Sequence, residues 1–238
     1  MFYAWGTAVA GWGVLLVLLA GTTPPPFQLV AIFALLAVVT EWLMVPLPRG
    51  GFQSAGLTVA AAALLILGPV YTALVMAVGV IVGNGLLHRR PYLTTIFNSG
   101  QYILSLLLAG EVFIALDHQA TRLGVSLFSG RIDLMFWAAF LGAVLTYVVT
   151  SSLFVSGMVA RRGGAPFLTV FRANILWEIV NNLAFASLGL ILALIYVRSL
   201  PVGAVILTLP LMLVGYILML YTTREQAHRE LEILDRIG

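Results

Sequence analysis

The chain has 238 residues, of which 61% are hydrophobic and only 9% charged, and its mean hydropathy is +1.07. Those values lie far outside the range of soluble domains and place it among polytopic membrane proteins. All twelve basic residues are Arg and the net charge is +3; Arg clusters beside apolar runs anchor the inner face of a membrane protein and imply no nucleic-acid partner. With no cysteine, disulfides and thiolate metal sites are excluded.

The first apolar run, 2–20, carries Tyr3, Trp5 and Trp12. It has neither a charged leading region nor a small-residue cleavage site, so it reads as a retained helix rather than a signal peptide. Thr22-Thr23-Pro24-Pro25-Pro26 follows and is too rich in proline to be helical. A second helix spans 27–45 and ends at Pro46 and Pro48; a Pro/Gly-rich connection, 47–54, then carries Arg49. The next apolar run, 55–87, exceeds thirty residues, too many for one span of about 20. Gly68-Pro69 interrupts it. Pro69 lacks an N–H and disfavours helix at Gly68, so two short helices, 55–67 and 71–87, are expected to form a hairpin. One long kinked helix is the competing reading. Ala73, Ala77, Gly79 and Gly83 seam the second arm, and the GxxxG spacing of the two glycines suits close helix contact in lipid.

His88-Arg89-Arg90-Pro91 closes the hairpin, and a fifth helix, 92–116, bears Asn98, Gln101 and Glu111. A sixth, 134–159, stops at Arg161-Arg162-Gly163-Gly164; residues 166–172 are expected on the membrane surface, and a seventh helix spans 174–197. The eighth runs from Pro201, which fits a first helical turn, to 221. The expected architecture is therefore an all-α membrane bundle of about eight transmembrane helices that includes one short hairpin. It forms one domain, 1–222, followed by a cytoplasmic helix, 223–238.

Charge sets the orientation. With a cytoplasmic amino end, the inner side receives Arg49, Arg89, Arg90, Arg161, Arg162, Arg172, Arg224, Arg229 and Arg236, and the outer side Arg122, Arg131 and Arg198. That distribution obeys the positive-inside rule; a single kinked span at 55–87 would place Arg49 across the membrane from Arg89 and Arg90. Both termini are expected in the cytoplasm.

Within apolar sequence, Glu41 lies a turn before Pro46, Asn84 precedes the Arg89 cluster, Asn98 and Gln101 follow it, and Glu178, Asn181 and Asn182 follow Arg172. Their offsets from the inner Arg groups correspond to depths of about 8 to 17 Å. Side chains of this kind are costly in hydrocarbon and need partners or a watered pocket. These seven residues are the candidate ligand-binding set, with Glu178 and Asn182 sharing one helix face and Asn98 and Gln101 another. Hydrogen-bond glue between helices is the alternative. No catalytic constellation is present: His88, His118 and His228 are scattered, and no P-loop, GxSxG or zinc spacing occurs. No metal site or enzymatic activity is expected, and no cofactor is indicated.

In the carboxyl tail, TTREQAHRELEILDRIG, Ala227, Leu231 and Leu234 form one stripe, while Glu225 with Arg229 and Glu232 with Arg236 are i,i+4 pairs. A helix projecting from the membrane and pairing with a second copy fits that pattern. The stripe is unfinished at Gly238, so an output domain is expected to follow.

PLPRGG, LTVAAAALLILGP, the Gly-rich helix into RRP, and FNSGQYILSLLLAG together resemble the amino-terminal membrane region of bacterial cyclic-di-GMP signalling proteins, which carry GAF, HD-GYP or GGDEF domains downstream. The resemblance covers about 41–110, extends to FRANILWEIVNN, and includes RELEILDRIG, which is similar to the helical lead-in of a GAF domain. It implies a sensory or anchoring input in the bacterial inner membrane, with the bilayer, a small-molecule ligand or lipid and a second copy of the chain as partners. The LGP hairpin also resembles the substrate-capturing subunits of energy-coupling-factor vitamin transporters, six-helix bundles that bind ligands from outside. Small-solute uptake is the alternative function.

Overall fold

The computed structural model describes residues 1–46, 52–117 and 133–199. Among them, helices account for everything but short connections and one two-residue strand pair. Five helical stretches among the described residues are long and apolar enough to cross a bilayer: Phe2–Ala20, Pro69–Leu87, Tyr92–Leu116, Leu134–Gly163 and Glu178–Val197. Two apolar helices are shorter, Phe27–Trp42 and Gly56–Leu67. The expected eighth helix and the carboxyl tail lie outside the described residues.

α1 (Phe2–Ala20) ends at Gly21, where Thr22 Oγ1 donates to the Leu18 carbonyl at 2.6 Å; the prolines that follow cannot continue the helix. α2 (Phe27–Trp42) stops three residues short of the expected 27–45. The cause is Pro46, which forces Val45 into extended backbone; β1 (Val45–Pro46) then pairs antiparallel with β2 (Phe52–Gln53), Val45 opposite Gln53.

α3 (Gly56–Leu67) is buried along all twelve of its residues. Its length of about 18 Å is well short of the hydrocarbon thickness, and it packs against α2, α4 and α7. Gly68 breaks the run at φ 80° and ψ 170°, a conformation in which a Cβ would be strained. α4 (Pro69–Gly79) starts at Pro69 itself, not at 71 as expected, because proline's missing N–H costs nothing in a first helical turn. The chain reverses here. The start of α3 and the end of the α4 arm both return to Glu41, against which Gly56 and Gly83 are pressed, while Pro69 lies at the far end against Gly110. The hairpin, rather than one kinked helix, is what forms.

Beyond Gly79 the helix widens into a π-helical segment, Val80–Leu87, closed by the His88 amide on the Gly83 carbonyl at 3.0 Å. Arg89 takes a positive φ of 51° in the turn that follows, and α5 (Tyr92–Leu116) begins after Pro91. α5 contacts α1, α4 and α6. Its small residues let neighbours approach closely: a Cβ at Gly100 would sit 2.6 Å from the Ala8 Cα, and one at Gly11 2.6 Å from the Gly100 carbonyl oxygen.

α6 (Leu134–Gly163) is capped by Asp133, which accepts from the Phe136 amide at 2.9 Å. It runs four residues past the expected 159, since Arg161 and Arg162 favour a helix carboxyl end, and stops at left-handed Gly164. α7 is one continuous helix, Phe167–Ser199. The expected separate helix from 174 is thus corrected: the helix already begins at Phe167, and Arg172 and Asn174 carry no backbone restriction; at about 50 Å it is longer than a span requires.

Phe113 packs on Phe136 and Tyr102 on Tyr147, so α5 and α6 are antiparallel and Arg89, Arg90, Arg161 and Arg162 share one end of the bundle. On α6, Phe140, Val144 and Val148 are buried while Leu141, Leu145 and Val149 are exposed. A helix apolar on both faces is solvated by lipid on one of them.

Candidate functional site

Glu41 is 1% exposed in the last turn of α2, toward the Arg-rich end. A carboxylate so placed requires donors from several elements, and it has them. Ser54 Oγ donates to Oε1 at 2.6 Å, Tyr102 Oη to the same oxygen at 3.3 Å, and Asn84 Nδ2 to Oε2 at 3.0 Å. Ser54 Oγ also accepts from the Gly56 amide at 3.1 Å, which fixes the first turn of α3. Three separate stretches, the lead into α3, the π-helical segment and α5, therefore converge on one side chain of α2.

Small residues make the approach possible. A Cβ at Gly56 would lie 2.6 Å from Glu41 Oε1, and one at Gly83 would lie 2.8 Å from Glu41 Cβ. Just outside this node, the His88 imidazole Nε2 lies 2.6 Å from the Trp42 carbonyl, tying the end of the π-helical segment to the end of α2. Arg90, beyond the helix, is pulled below its ordinary pKa by partial burial, and the Glu41 carboxylate opposes that shift.

The π-helical geometry has a chemical consequence. Asn84 is 2% exposed and donates to Glu41, yet its Oδ1 is buried without a partner. An unpaired acceptor beside a carboxylate leaves the node with more acceptors than donors, a condition that favours a proton, a cation or an N–H donor in the vicinity.

A second polar pair lies on α7. Asn182 Nδ2 donates to Glu178 Oε2 at 2.7 Å and to the Glu178 carbonyl at 2.8 Å. Tyr147 of α6, edge-on to Tyr102 with ring centroids 6.2 Å apart, is within electrostatic reach of both Glu41 and Glu178.

Among the seven expected residues, the structure joins Asn84 to Glu41 and Asn182 to Glu178. Asn98, Gln101 and Asn181 donate to neither carboxylate. Gln101 is 3% exposed with Oε1 unpartnered, and Asn181 buries an unpartnered Nδ2. Ser54 and Tyr102 were missed by sequence reasoning. Tyr102 carried a signal, because a tyrosine hydroxyl in mid-helix in lipid must find an acceptor; Ser54, in a Pro/Gly-rich connection, carried none. Among the described residues no group of His, Asp and Glu is arranged to hold a metal ion.

No family model matches the chain, and no curated protein or solved structure matches it significantly.

Proposed function

We propose that this chain is the membrane-embedded sensory or anchoring input of a bacterial signal-transduction protein, and that the buried Glu41 node is the part of it that responds to a small ligand or lipid. In this reading about eight helices cross the inner membrane, both termini face the cytoplasm, and the carboxyl-terminal helix pairs with a second copy and transmits to a cyclic-di-GMP output domain. The observation that supports it most is the convergence of Ser54, Asn84 and Tyr102 on Glu41. A single titratable side chain that holds three chain segments together is placed to shift all of them when its surroundings change. The adjacent π-helical segment Val80–Leu87 is the kind of local irregularity that marks functional positions in helices.

The test uses the complete reading frame, with the native membrane region or Glu41→Gln, in bacterial membranes at matched abundance. Cyclic-di-GMP turnover is measured alongside native mass spectrometry for retained small molecules. Altered turnover in the folded variant is expected. Equal turnover from both removes the node from signalling, and a reading frame without an output domain, in cells where the chain supports solute uptake, rejects the input-domain reading for the capture-subunit one.

A further inference from the structure

Where α1 begins, its first turn, the first turn of α5 and the end of α6 line an open crevice of about 280 Å³ at the Arg-rich end. Phe2, Leu93 and Met158 supply apolar walls, and Arg161 and Arg162 supply two positive charges. The Arg161 guanidinium carbon stands 4.9 Å from the centroid of the Tyr3 ring. Tyr3 is itself fixed: its hydroxyl donates to the Phe154 carbonyl at 3.2 Å, and Gly157 leaves it room, since a Cβ there would lie 2.7 Å from Tyr3 Oη. A cation–π contact holds a guanidinium in place without neutralising it, so its N–H groups stay available to an anion. The opening amides of α1 add to the field, because the first bond back along this helix is that of Trp5 to the Met1 carbonyl.

We propose that this crevice binds the phosphate of an anionic phospholipid headgroup. Bidentate guanidinium groups match phosphate oxygens, and the volume is just under the roughly 300–1,000 Å³ of pockets that enclose a drug-sized ligand. It suits a headgroup whose chains remain in the bilayer. Val155 and Val159, exposed on α6 immediately before Arg161, provide the apolar track along which those chains lie. Two charges select an anionic over a zwitterionic lipid. The proposal is independent of the signalling reading.

Purified full chain in mild detergent is offered phosphatidylglycerol, phosphatidylcholine or inorganic phosphate, and retention is read by native mass spectrometry. Preferential retention of phosphatidylglycerol is expected. The double variant Arg161→Gln/Arg162→Gln should lower it about twenty-five-fold, at roughly five-fold per interfacial Arg, whereas Arg172→Gln, an exposed charge on α7, should change it less than about two-fold. Leu93→Trp fills the crevice with both charges intact and should also abolish the preference, which guards against misfolding of the charge variant. Equal retention of the two lipids, an Arg172→Gln loss as large as that of the double variant, or undiminished binding in Leu93→Trp overturns the proposal. Binding of inorganic phosphate with no lipid preference assigns the crevice to a soluble anion and overturns the lipid.

Discussion

A double-mutant cycle between Glu41 and Asn84 measures whether the node is held by charge. In the native protein Asn84 Nδ2 donates to Glu41 Oε2 at 3.0 Å, a hydrogen bond worth about 1.5–3 kcal/mol if Glu41 is ionised. Glu41→Gln keeps the shape and leaves an acceptor for Ser54 and Tyr102, but it presents an amide to Asn84. The Asn84 side chain then turns over and offers its presently unpartnered Oδ1, giving a neutral bond worth about 0.5–1.5 kcal/mol. Asn84→Ala therefore costs the stronger bond in one background and the weaker bond in the other, with the same cavity in both. The cavity term cancels, and the coupling energy is the difference, about 1–1.5 kcal/mol. Helicity is followed by circular dichroism as sodium dodecyl sulfate is titrated into dodecyl maltoside micelles. A coupling below about 0.3 kcal/mol, inside the usual additivity of independent sites, would mean that Asn84 does not sense the charge, and the reasoning fails.

Three further outcomes are expected. Gly79→Ala places a Cβ 2.7 Å from that of Ala37 and 2.9 Å from the Ala37 carbonyl oxygen, so it should destabilise by about 1–3 kcal/mol through overpacking; Gly13→Ala, with nothing within 4 Å, should be neutral or gain up to about 1 kcal/mol of helix propensity, both read in the same titration. In the proposed eight-helix orientation, which the positive-inside rule favours, cysteines at positions 50 and 89 should be protected from an impermeant thiol reagent in intact cells and one at 124 labelled; labelling at 50 or 89, or protection at 124, would reject the orientation. Cysteines at 231 and 234, on the apolar stripe of the tail, should crosslink two copies more readily than cysteines at 229 and 232, and equal crosslinking would dismiss the paired helix.

Backbone punctuation was the legible part of the fold. Gly68-Pro69, Pro91 and Gly163-Gly164 act through steric rules that hold in any context, and the helices change at each of these sites. Polar residues misled: Arg172 and Asn174 suggested a boundary, yet α7 runs through them because a long side chain can reach water from a helix that continues. The π-helical segment was not legible, since nothing in VIVGNGLL separates a widened turn from an α-helical one. For the polar residues, the sequence carried height but not direction. Offsets from Arg residues measure height along a helix, whereas Gln101 and Tyr102, adjacent in sequence, point differently, and it is Tyr102 that reaches Glu41.

The Glu41 node and the Arg161 crevice lie toward the same end of the bundle, and the contacts between them run through α1 and α5. Tyr3, beneath the Arg161 guanidinium, packs on Phe97 with ring centroids 5.9 Å apart; farther along both helices, Trp12 Nε1 donates to Ser99 Oγ at 3.1 Å, and Gly100 meets the backbone of α1. Tyr102 follows on the same helix with its hydroxyl on Glu41. Backbones this close cannot slide independently, because neither side of the contact has side chains to repack. Displacement of α1 at the end that bears Tyr3 would therefore be felt by α5, and α5 bears on the carboxyl group that also contacts both ends of the hairpin. Such proximity becomes coupling only where an element has two arrangements to choose between. The π-helical segment departs from the α-helical hydrogen-bond pattern, and Asn84 within it has a donor engaged on Glu41 and an acceptor unengaged; its amide could turn over only with a proton on Glu41 Oε2, since Oδ1 against an ionised carboxylate would set two acceptors face to face.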